Sequence, residues 1–161
     1  MSYISFNKQQ LVNLEFTMSK EILRSNRSGA FYNTTIIGCN TRKYHGLLVV
    51  PQPQLDNNNH VLLSSIDETI IDNKEEFNLG VHQYVDGTVS PRGHKYLRNF
   101  TTEPIPRLTY RIGTSVIHKE YIFAEKEARI LIRYTLEEAA QPVTLRLQPF
   151  LAFRNVHMLT Y

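Results

Sequence analysis

The chain has 161 residues, enough for one ordinary domain and too few for two. Apolar residues make up 42% of it and charged residues 20%, a balance that excludes a disordered or collagen-like chain. The net charge is only +3, with acids and bases interspersed, so neither a nucleic acid nor a membrane surface is implied as a partner.

The first ten residues are polar and lack the apolar core and cleavage site of a signal peptide. No apolar run approaches the ~20 residues that span a bilayer. A single cysteine, Cys39, excludes an internal disulfide framework and points to a reducing compartment. Asn26, Asn33 and Asn99 open Asn-x-Ser/Thr triplets, which without a secretory signal read as chance matches. These features predict a soluble, cytoplasmic chain.

Met18–Arg24 is expected to form one helical turn at most. Strands are expected at Ala30–Ile37, Leu47–Val50, Val61–Leu63 and Thr69–Asp72. A polar loop holds Pro51, Pro53 and Asp56–Asn59, and Asp72-Asn73-Lys74 marks a hairpin turn into Glu75–Asn78. Asp86-Gly87 and Pro91–Gly93 open an irregular stretch running to Pro106. Arg107–Ile112 and Ser115–Phe123 flank Gly113-Thr114, a tight hairpin signal. In Ala128–Leu136, Ile130, Ile132, Tyr134 and Leu136 alternate with polar residues, and in Val143–Gln148 so do Val143, Leu145 and Leu147. No segment of helical length carries a 3.6-residue stripe. The reading is an all-β chain, an antiparallel β-sandwich filling residues 1–161 as one domain or most of one. Val143–Phe153 is a strong strand close to Tyr161, which suggests a domain continuing further.

The densest polar segment is Asn40-Thr41-Arg42-Lys43-Tyr44-His45, between Gly38 and Gly46. A connection so rich in hydrogen-bonding groups, set between apolar strands, suits either a functional loop or a plain β-turn. The six histidines are scattered without paired metal spacing, and no phosphate-cradling glycine motif occurs, so no metal and no cofactor are expected. Lys95-Tyr96-Leu97-Arg98-Asn99-Phe100 mixes bases and rings as a single-stranded nucleic-acid platform does, or as a solvated loop with two buried rings does.

Gly38–Val49 reads Gly-Cys-Asn-Thr-Arg-Lys-Tyr-His-Gly-Leu-Leu-Val. It closely resembles a motif in the N-terminal domain of prokaryotic-type glycogen debranching enzymes, the amylo-α-1,6-glucosidase family. Leu63–Thr69, Tyr84–Phe100 and Pro149–His157 resemble that family's later segments, in order. The approach to the first motif departs from the family's glycine-rich pattern. Asn26–Ala30 holds one glycine, Gly29, where several are usual, so no ligand contact is carried onto Arg27 or Ser28.

The resemblance implies a β-supersandwich joined to a downstream α/α toroid that carries the catalytic carboxylates, with α-glucan as the ligand. Glycosidases need a facing pair of carboxyl groups. Asp67 and Glu68 are adjacent on an expected strand and so point to opposite faces, and no catalytic residue is assigned within this chain. The resemblance makes Asn40, Arg42, Lys43, Tyr44 and His45 the candidates for contact with glucan or with the catalytic domain. They are expected to sit together as an exposed patch at one end of the sandwich. A free-standing glycan- or nucleic-acid-binding module is the alternative reading. An uncovered strand edge in an isolated piece is expected to drive self-association, through residues 143–154 above all.

Overall fold

The computed structural model describes residues 4–159. The chain begins with β1 (Ser5–Asn7), helices α1 (Lys8–Leu11) and α2 (Leu14–Met18), β2 (Glu21–Ser25), β3 (Phe31–Thr35) and β4 (Gly46–Gln52). Then come β5 (Asn58–Asp72), β6 (Glu75–Asn78), β7 (Val81–Gln83) and β8 (Val89–Arg92). A short 3₁₀ turn (Gly93–Tyr96) leads into β9 (Leu97–Thr101), β10 (Arg107–Ile112), β11 (Ser115–Phe123), β12 (Ile130–Glu138) and β13 (Thr144–Asn155). One sheet has the order β1-β9-β10-β11-β12 and the other β13-β5-β4-β3-β2, with β6 beside β5 and β7–β8 as a separate hairpin. Every pairing is antiparallel. The expected all-β sandwich is the architecture observed, and among the described residues no helix is long and apolar enough to cross a membrane.

Local chemistry explains the connections. Gly113 takes φ +56° between Ile112 and its partner Ser115, a turn backbone that glycine adopts without strain. Asn73 and Lys74 both take positive φ between the paired Asp72 and Glu75, the geometry that matches the twist of a two-residue hairpin. Asn7 forms a capping box with Gln10, and Asn13 accepts from the Phe16 N–H, so both helices lie ahead of the turn expected at Met18–Arg24. Most of that segment is β2 instead.

Two further expectations are corrected. Val61–Leu63 and Thr69–Asp72 belong to one 15-residue strand, β5, because the polar residues between them find partners across the fold. Leu97–Thr101, expected inside an irregular stretch, is an interior strand of the first sheet. Its Leu97 and Phe100 are both buried three residues apart, and the register shift at Thr109/Tyr110 of the adjoining β10 accounts for the broken alternation. Phe100 stacks on Phe6 in the core at 5.9 Å and Tyr96 packs edge-on against Phe77, so the Lys95–Phe100 run offers no exposed stacking platform.

The core lies between the sheets, where Tyr32, Leu47 and Ile70 of one meet Leu108, Tyr110, Ile117 and Tyr121 of the other. A buried ion pair crosses it. The Lys119 ammonium lies 2.5 Å from Glu68 Oε1, and the Tyr134 hydroxyl donates to the same oxygen at 2.6 Å. Burial alone would depress the Lys119 pKa, but the Glu68 carboxylate and the surrounding Tyr121, Tyr110 and Tyr134 together outweigh it and hold the ammonium well above its ordinary range.

The sandwich is open along β12 and β13. Directly opposed residues of an antiparallel pair share a face. Leu136 stands opposite the buried Ile117 and Leu147 opposite the buried Glu68, yet each is 47% exposed. Leu151 and Phe153 extend the apolar surface.

Replacing Lys119→Met leaves Glu68 buried without its counter-charge. Urea denaturation at pH 7 is expected to show a loss of about 3 kcal/mol. The double variant Glu68→Gln with Lys119→Met is expected to lose less than the two single variants together.

Candidate functional site

The loop singled out in the sequence is held by its own side chains. Gly38 turns the chain at φ +76°, and the Thr35 hydroxyl closes the bend by donating to the Cys39 carbonyl and accepting from the Cys39 N–H, both at 2.9 Å. Burial raises the Cys39 thiol pKa, so that sulfur is a filler of the bend and no nucleophile. Asn40 ties the loop to β5. Its amide oxygen accepts from the Thr34 hydroxyl at 2.9 Å, and its amide nitrogen donates to the Ser64 carbonyl at 2.9 Å.

His45 is fully buried, which corrects the expected exposed patch. Its Nδ1 accepts from the Thr41 N–H at 3.0 Å, so the ring serves the backbone and carries its proton on Nε2. That nitrogen sits 3.4 Å from Glu21 Oε1, without a hydrogen bond of good geometry. Burial pushes the imidazole pKa below its ordinary value, the Glu21 carboxylate opposes this, and Arg42 adds to it. Gly46 follows because a Cβ there would stand 2.8 Å from the Val61 side chain.

Arg42, Lys43 and Tyr44 are exposed as expected. Arg42 Nε meets Glu21 Oε1 at 2.9 Å. The Lys43 ammonium lies 5.1 Å above the Tyr44 ring, and Tyr44 turns its hydroxyl to His157 Nδ1 at 3.2 Å.

Asn40, Arg42, Lys43 and His45 line a cleft of about 390 Å³ together with Ser64, Gln83, Tyr84 and Arg154. Ser64, Gln83 and Tyr84 also line an adjoining hollow of about 490 Å³, whose other walls include Ser65, Asp67, His82, Pro91 and Phe150. The two hollows adjoin across these three residues and together are called the cleft. Its second half was not assigned from sequence. There His82 Nε2 bridges both oxygens of Asp67, at 2.8 and 2.9 Å, and the Phe150 ring stands edge-on to His82 at 5.8 Å. Gly80 is required beside them, since a Cβ there would lie 2.7 Å from Asp67 Oδ1. Glu68 faces the core ion pair, so Asp67 and Glu68 do not form a facing carboxylate pair.

Each of the four stretches quoted from the sequence sends side chains to this cleft. They are Asn40 to Lys43 and His45, then Ser64, Ser65 and Asp67, Tyr84 with Pro91, and Phe150 with Arg154. Rings, hydroxyls, amides and one carboxylate converge without a second carboxylate. That set has the chemistry to bind a polyhydroxylated ligand, and its lining shows no facing pair of carboxyl groups. The chain is thus a two-sheet β domain with a lateral cleft walled by polar and aromatic side chains.

The family model described as glycogen debranching enzyme N terminal matches residues 20–161, and the chain belongs to that family. No curated protein and no solved structure matches it.

The depressed His45 pKa has a consequence for stability. As pH falls below the ordinary imidazole value of 6.5, the unfolded chain takes up a proton that the folded ring refuses. Stability is therefore expected to fall between pH 6.5 and the carboxylate range. Buried His94, also depressed chiefly by burial, adds to the same slope. Thermal melts across this range are expected to give a shallower pH dependence for His45→Gln than for the parent chain, whatever the variant's absolute stability.

Proposed function

We propose that this chain is the non-catalytic N-terminal domain of a glycogen debranching enzyme, packing on the catalytic domain and helping to shape the glucan site. The observation that carries the reading is the meeting of all four family-like stretches in one cleft of rings and hydrogen-bonding groups. Phe150 and Tyr84 give a sugar ring apolar faces, and Asn40, Ser65, Asp67 and Gln83 give its hydroxyls partners. Arg42 and Lys43 lie on the exposed rim.

The open side of the sandwich supports the packing role. Core-facing Leu136 and Leu147, with Leu151 and Phe153 beside them, form an apolar seam of the kind that a second domain covers. In the absence of that domain, the seam and the free edge of β13 draw two copies of the chain together.

Four measurements test this reading. The purified chain is expected to release no glucose from a limit dextrin, and release that is lost on changing one of its own acids would refute the non-catalytic role. In affinity electrophoresis the chain is expected to be retarded by glycogen, and Phe150→Ala with Tyr84→Ala to abolish the retardation. Light scattering over a dilution series is expected to show self-association that the pair Leu147→Asp and Leu151→Asp removes. The same pair is expected to weaken capture by a separately expressed catalytic domain at least tenfold.

A further inference from the structure

The two halves of the cleft differ in charge. Asp67 lies in one half, whereas Arg42, Lys43 and Arg154 line the other without any carboxylate in its wall. Arg42 is matched by Glu21. Among the described residues neither Lys43 nor Arg154 has a carboxylate partner: Lys43 sits over the Tyr44 ring, and Arg154 donates only to the carbonyls of Met158 and His45, at 3.1 and 3.5 Å. Arg154 is also partly withdrawn from water. Burial lowers its pKa and no neighbouring charge opposes that shift. A half-buried guanidinium held by carbonyls alone is an unmatched charge whose remaining N–H groups suit an oxyanion. A neutral glucan would leave it unmatched.

We infer that the cleft takes a phosphorylated α-glucan, with a phosphate ester at Lys43 and Arg154 and a sugar ring against Phe150, its hydroxyls meeting Asp67 and His82. This rests on the glucan reading given above and narrows it to an anionic ligand. Asp67 fixes the direction, because a phosphate placed at its end of the cleft would meet a carboxylate.

Isothermal titration of the whole chain at low salt separates the possibilities. The probes are a maltooligosaccharide carrying a 6-phosphate ester, the same oligosaccharide without it, glucose 6-phosphate and inorganic phosphate. The phosphorylated oligosaccharide is expected to bind about tenfold more tightly than the neutral one, an advantage that shrinks as salt is added. Lys43→Gln and Arg154→Gln, the latter keeping a side-chain donor for the carbonyls, are expected to bring the affinities for the two oligosaccharides together, the ratio being read within each variant. Equal affinity for the two oligosaccharides would overturn the inference and leave the glucan reading standing. Glucose 6-phosphate or inorganic phosphate binding as tightly as the phosphorylated oligosaccharide would overturn it in favour of a plain anion site. Loss of the phosphate advantage on adding the catalytic domain would show that the cations serve the domain contact instead. Failure of both oligosaccharides to bind would overturn both readings.

Discussion

The contact between Glu68 and Lys119 sets how the two sheets face each other. β5 and β11 belong to different sheets, so no backbone ladder fixes their relative position. Apolar packing tolerates sliding, because one methyl group replaces another at little cost. An ion pair does not, since a shift that separates the charges leaves both buried and unpaired. Tyr134 adds β12 to the same point through its hydroxyl. The surrounding Tyr110, Tyr121 and Ile70 exclude water, which strengthens the attraction and raises the penalty for any other alignment.

With the sheets locked in this way, one face of β5 belongs to the core and the other is free to build the cleft. Asn40 then fastens the family-like loop to Ser64 of that strand, and Asp67 holds His82 of the β7–β8 hairpin. The cleft is therefore walled by side chains anchored on a strand rather than by loops alone. Its floor is as rigid as the sheet, while its rim of Arg42, Lys43, Tyr84 and Val85 lies exposed.

Strands whose neighbours are simple were legible in the sequence. β10 and β12 alternate in burial because one face meets the core, β11 is a run of residues buried on both faces, and Gly113 marks the turn between β10 and β11. β5 read as two fragments because Asp67 and Glu68 look like loop residues until His82 and Lys119 are known. Those partners lie 15 and 51 residues away, beyond any local pattern. The loop from Asn40 to His45 was found through its resemblance to a family motif, and the burial of His45 was not. Residue type places a histidine near the surface, and only the fold reveals the Thr41 N–H that needs its nitrogen. In the other half of the cleft, Asp67, Tyr84, Pro91 and Phe150 lie in stretches that resemble the family's later segments, but His82 falls outside them and no residue pattern pairs it with Asp67.

The adjacency of Asp67 and Glu68 has an evolutionary implication. Because side chains alternate on a strand, a one-residue insertion or deletion upstream in β5 would exchange the two carboxylates. The acid meant for Lys119 would swing into the cleft, and the acid meant for His82 would enter the core. Point substitutions can drift at either position singly, but a change in length damages both at once. The β5 segment from Asn58 to Asp72 is thus a ruler, and homologous chains can vary its letters far more readily than its count.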